Sequence, residues 1–201
     1  MSQVADVNTT SILAAIRLGC RTMQRVFNAD DDQVPFFGSC VRPQPRLSFS
    51  AHHSESHVPG RHLNALLTAE AVAGIRLDEQ AVANHRRAAF LSYGGPLPLP
   101  LNREQIGGPL RNFCPHNLRE GFHALYALTR YRDDAEAGEV FERSIAAVRW
   151  LWDPQTGWRP PELEQLGLQY QACQGFLHGE ARMLGPLVKY HRVTASDRPW
   201  R

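Results

Sequence analysis

The sequence predicts an all-α chain built from helical hairpins. Three observations lead there. Apolar residues recur at helical spacing along most of the chain. No stretch sustains the period-two alternation of a half-buried strand. An apolar helix end followed by a short polar turn returns at intervals of roughly 60 residues, the length of a hairpin plus a long loop.

The elements follow in order. Ile12, Ile16, Cys20, Met23 and Phe27 define a first helix over 12–27, with Thr9 or Thr10 as its cap. The prolines at 35, 43 and 45 make 28–50 an irregular loop, and Asp30, Asp31 and Asp32 are expected to be solvated within it. Pro59 suits the first position of a second helix. Its apolar stripe is Leu63, Leu66, Leu67 and Val72, and Gly74 stops it. Asp78 caps a third. The segment 94-GGPLPLPLNREQIGGP-109 is a long loop. Asn117 to Tyr131 forms a fourth helix with Leu118, Phe122, Leu125 and Leu128 inward, and Asn117 with Glu120 resembles a capping box. Asp134 to Leu151 is the fifth, burying Phe141, Ile145 and Val148. A loop over 153–164 leads to a last helix from Phe176 to His191, in which Pro186 is expected to cause a kink. Trp150 and Trp152 are expected between hairpins.

Composition narrows the function. Hydrophobic residues make up 43% and charged residues 21%, enough for a folded core in one domain spanning 1–201. The net charge is +2 with arginines dispersed, which argues against a nucleic-acid footprint. No apolar run approaches a membrane span, and no signal peptide is evident. Cys20, Cys40, Cys114 and Cys173 lie far apart, as reduced core thiols of a cytoplasmic protein would.

Polar residues gather where each long loop meets a hairpin. The first cluster, in 50-SAHHSESHVPGRH-62, holds His52, His53, Glu55, His57, Arg61 and His62. The second gives His116, Asn117, Arg119, Glu120 and His123. The third gives Gln174, His178, Glu180 and Arg182. His53 and His57 have the i, i+4 spacing of helical zinc ligands, but Ser54, Ser56 and Pro59 disfavour a helix there. Neither a metal nor a cofactor is therefore expected.

The repeat over residues 59–201, with joints such as 122-FHALYALTRYRDD-134 and 182-RMLGPLVKYHRVTASD-197, resembles the (α/α)6-toroid carbohydrate-active enzymes. These include glycoside hydrolases, polysaccharide lyases and N-acylglucosamine 2-epimerase-type isomerases. The resemblance implies a partial toroid of about three hairpins, the N-terminal part of a longer ring or one completed by a homodimer. It also implies a sugar cleft along the rim. Glycoside hydrolysis of a uronic-acid-bearing glycan is the leading expectation, with Glu120, Glu180 and His178 as catalytic residues. His57, Arg61, His62, His116, Arg119 and Trp158 would bind substrate. The alternatives are a binding scaffold without chemistry, a lyase, or an epimerase or isomerase.

Overall fold

The computed structural model describes residues 11–40, 42–172 and 181–194. Seven α-helices carry most of the described chain: α1 Ile12–Met23, α2 Val58–Ala73, α3 Glu79–Ser92, α4 Leu118–Arg132, α5 Ala135–Leu151, α6 Pro160–Gln165 and α7 Leu184–Thr194. Between them run β1 Phe27–Asn28, β2 Val34–Pro35, β3 Gly38–Cys40, β4 Arg46–Ser48, β5 Leu101–Arg103, β6 Leu110–Phe113, β7 Trp152–Asp153, β8 Gly157–Trp158 and β9 Gln169–Tyr170. The all-α expectation is thus corrected: the chain is mixed, 55% helical and 13% strand, with four small sheets. Its strands are two to four residues long, too short for alternation to show in the sequence. They lie between the helices, in or near the segments expected to be loops. Three sheets are two-stranded, and the fourth has the order β5-β6-β9 with β6 and β9 parallel.

The helix boundaries follow local chemistry. Asp78 accepts a hydrogen bond from Gln80 N, and Asp134 accepts one from Ala137 N, so both act as expected caps. Gly74 closes α2 at φ 61°, the left-handed conformation that glycine adopts without a Cβ clash. α1 ends at Met23, and Phe27 enters β1 instead. Ser11 caps α1; Thr9 and Thr10 lie outside the described residues. The expected start of the last helix at Phe176 also lies outside them. Pro186 stands in the first turn of α7, where its missing N–H removes no helix bond.

α4 is the central element and packs against α2, α5 and α7. The pairs α2–α3 and α4–α5 are antiparallel hairpins with turns at 74–78 and 133–134. Leu63, Leu66 and Leu67 of α2 and Leu118, Phe122, Leu125 and Leu128 of α4 are buried together. Phe122 stacks on Phe141 of α5, which stacks on Tyr190 of α7, so one aromatic column ties three helices. Several expected inward residues are not there. Val72 is 79% exposed and Trp150 47%. Ile12 is 78% exposed, and Cys20 is the buried residue of α1.

Gly60 sets the closeness of α2 and α4. A Cβ at this position would lie 1.8 Å from the backbone oxygen of Glu120. The two helix beginnings meet at that point, which brings the first two polar clusters of the sequence together.

Candidate functional site

The site starts with the turn over 51–57. His57 N bonds His53 O at 3.0 Å, so His53 and His57 stand one helical turn apart although α2 begins at Val58. Three buried asparagines pin this turn. Asn102 of β5 donates to His52 O at 3.0 Å and accepts from the backbone N–H of Glu55 and Ser56. Asn112 of β6 donates to Ala51 O at 3.0 Å. Asn117, in the 3-10 turn before α4, donates to His52 O at 2.7 Å. The small sheet β5-β6-β9 is therefore what presents the histidine turn to α4.

Asn117 does not cap α4 with its side chain. Its amide nitrogen is spent on His52 O, so its Oδ1 faces His57 Nδ1 at 3.2 Å and accepts that proton. The lone pair of His57 then sits on Nε2, 3.9 Å from Glu120 Oε1. Glu120, 2% exposed, does not form the expected capping box either. Its Oε1 accepts from Arg61 Nε at 3.1 Å and Arg119 Nε at 2.7 Å.

Electrostatics separate these groups. Burial opposes the charged form of Glu120, but the Arg119 hydrogen bond, the charge interactions with His57 and Arg119 and the Arg61 hydrogen bond together outweigh it and hold the carboxyl below its ordinary range. Burial holds His57 neutral, with its pKa lowered to about 3; Arg61 adds to the effect and Glu120 opposes it. His53 is lowered to about 4 by burial and by the neighbouring His116 and His52. At neutral pH the site contains one carboxylate, two guanidiniums and neutral His53 and His57.

His116, from the 3-10 turn, completes the group. Its ring stacks on His57 with centroids 5.2 Å apart, while His53 meets both edge-on at 5.0 and 6.2 Å. The structure thus joins His57, Arg61, His116, Arg119 and Glu120, all expected at the site, and adds His53.

Other expected site residues lie elsewhere. His62 faces α3, with Nδ1 3.3 Å from His85 Nε2, because it lies five residues beyond His57 and leaves the helix on another side. Trp158 is 8% exposed and packs edge-to-face on Phe113 at 5.3 Å, so it is a core residue and offers no ring face to a sugar. His178 and Glu180 lie outside the described residues.

One supporting group went unforeseen. Arg103 of β5 bonds Asp31 through both terminal nitrogens at 2.9 and 2.6 Å and Glu55 through Nε at 2.5 Å. All three are buried, so Asp31 is not the solvated loop acid expected of it. Glu55 lies between His53 and His57, and the triad therefore fixes the histidine turn from behind. The signal was present as a lone glutamate among histidines, but its partner lies 48 residues away. The chain matches no known family model, no curated protein and no solved structure.

Proposed function

We propose that the meeting point of the α2 and α4 beginnings binds an acidic sugar, and that the chain acts on uronic-acid-bearing glycans as a carbohydrate-active enzyme. The supporting observation is the convergence of Arg61 and Arg119 on one ionised carboxylate. Glu120 neutralises one of the two guanidinium charges and orients both groups. The other positive charge is left for a ligand carboxylate, and the Arg61 side chain is 53% exposed to meet it. The first turn of α4 lies beside it, where a helix dipole also favours an anion.

The state of Glu120 narrows its role. A glycosidase acid must hold its proton near neutral pH, which needs a raised pKa. Glu120 is shifted the other way, which favours a role as base or as the group that positions the arginines over that of leaving-group acid. In a hydrolytic reaction that task falls to another residue, for which Glu180 and His178 are the sequence candidates. A second reading, elimination or epimerisation next to the sugar carboxylate, draws on the same arginine pair, which would steady the anion formed when a proton leaves.

Oligosaccharides containing glucuronic or galacturonic acid separate these outcomes. New reducing ends signal hydrolysis, ultraviolet absorbance of an unsaturated uronide signals elimination, and new sugar resonances signal epimerisation. One of these products is expected, with kcat/KM lowered at least about tenfold in Glu120→Gln and Arg61→Met. Binding without any product would leave a scaffold in place of an enzyme. Neither binding nor product would end the acidic-sugar reading.

A further inference from the structure

We propose that His53, His57 and His116 form a binding site for one divalent transition metal of the zinc type. Each ring offers a nitrogen, and the three nitrogens lie within 4.8 Å of one another. Zinc holds imidazole nitrogens at about 2.0–2.1 Å, so three ligands in a tetrahedral arrangement stand roughly 3.3–3.5 Å apart. The three rings would draw together and turn their nitrogens inward to close on an ion.

The surroundings are built as a metal site's outer shell is built. A ligating histidine needs its second nitrogen held by an acceptor, so that the lone pair faces the ion. Asn117 Oδ1 does this for His57, and its amide cannot turn over without losing the bond to His52 O. Ser50 Oγ lies 3.1 Å from His53 Nδ1 in the equivalent position. Asn102, Asn112 and the Arg103 triad fix the backbone that carries both residues. His53 and His116 are half-buried, which leaves a path for an ion, while His57 is 3% exposed.

The three imidazoles bring no charge, and the Arg61 and Arg119 guanidiniums oppose a cation. Glu120 Oε1, 3.9 Å from His57 Nε2, is the negative group of the site that offsets them in part. Nitrogen ligands without thiolate favour Zn2+, Co2+, Ni2+ or Cu2+ over Ca2+ or Mg2+.

The test is a titration of the untagged full chain, stripped with a chelator, with Co2+, followed by displacement with Zn2+. The expected result is a visible d–d band that saturates at one equivalent and disappears on adding zinc. His116→Ala is expected to weaken binding by about 100-fold with unchanged helical circular dichroism, and Asn117→Ala by about 10- to 100-fold. His52→Ala, an exposed neighbour, should bind as the parent does. Absence of a saturating band overturns the proposal. So does retention of full affinity in both His53→Ala and His116→Ala. The readout is the metal itself, independent of sugar turnover. Cobalt binding without activity on acidic sugars counts against the carbohydrate reading alone. Turnover without cobalt binding counts against the metal site alone.

Discussion

Gly60 carries more of the site than its lack of a side chain suggests. The backbone of Glu120 occupies the space of its missing Cβ. Gly60→Ala must therefore push α2 from α4, with an expected loss of about 1–3 kcal/mol in denaturant unfolding. Cobalt affinity should fall with it, because His57 and His116 ride on the separated segments. Arg103 has a comparable hidden role. Arg103→Met leaves Asp31 and Glu55 buried without their counter-ion, and about 3–5 kcal/mol of stability should be lost. A loss within experimental error would mean that the triad does not hold the turn.

His85 makes stability depend on pH. It is fully buried between Phe27 and His62, donates to Met23 O at 2.9 Å, and burial lowers its pKa from 6.5 to about 3. The unfolded chain binds a proton at this group below 6.5, whereas the folded chain does so only near 3. Its contribution is therefore complete above pH 6.5 and declines as pH falls from there toward 3. His62, lowered to about 4 by burial and by Arg61, acts in the same direction. Unfolding free energy measured between pH 7 and pH 4.5 should fall, and His85→Gln should flatten that slope by up to about 1.4 kcal/mol per pH unit. An unchanged slope would show that His85 does not titrate with folding.

At the scale of elements, the sequence was most legible where one residue decides a boundary. Gly74, Asp78 and Asp134 act through their own backbone or side chain within a few residues, and their roles needed no tertiary information. Asp134 also shows how a cap gains a second use. Its carboxylate accepts from Ala137 N and from Arg86 Nε at 2.7 Å. Burial acts to raise its pKa, but Arg86 and the cap bonds prevail and lower it. Its stabilising effect is present above its ordinary value of 3.8 and fades as pH falls below it. Asp134→Ala should cost about 1–2 kcal/mol at neutral pH, with a smaller difference from the parent in acid.

Other elements were not legible, for physical reasons. Two-residue ladders such as β7–β8 carry no periodicity, so the small sheets were invisible. Asn117 and Glu120 have the spacing of a capping box, yet the histidine turn before α2 claims the first side chain, and Arg61 of α2 with Arg119 claims the second. The local rule gave way to long-range contacts. The same contacts raise the standing of His53. Local sequence placed it in a loop with no third ligand, and only the approach of His116, brought by a separate hairpin, completes the group. Trp158 failed in the opposite sense: a tryptophan in a long loop suggested a sugar platform, but a two-residue strand carries it into the core.

At the scale of the whole molecule, α4 organises the described chain. It packs against α2, α5 and α7, and the aromatic column runs from it through α5 to α7. The beginnings of α2 and α4 meet at Gly60 and at the His57–Asn117 bond, so polar clusters separated by about 60 residues become one site. No helix among the described residues is long and apolar enough to cross a membrane. The mixed architecture matters to the site itself, because the β5-β6-β9 sheet supplies the asparagines and Arg103 that hold the histidine turn.

The central claim is that Arg61 and Arg119 form one anion-binding unit organised by Glu120. It is tested most directly by the affinity for a uronic-acid oligosaccharide across a double-substitution cycle. Arg61→Met and Arg119→Met should each weaken binding by about tenfold or more. The pair together should cost measurably less or more than the sum, with a coupling of about 0.5 kcal/mol or above, since both guanidiniums share one carboxylate and one ligand. Unchanged affinity in both single variants, or strict additivity in the cycle, would contradict it.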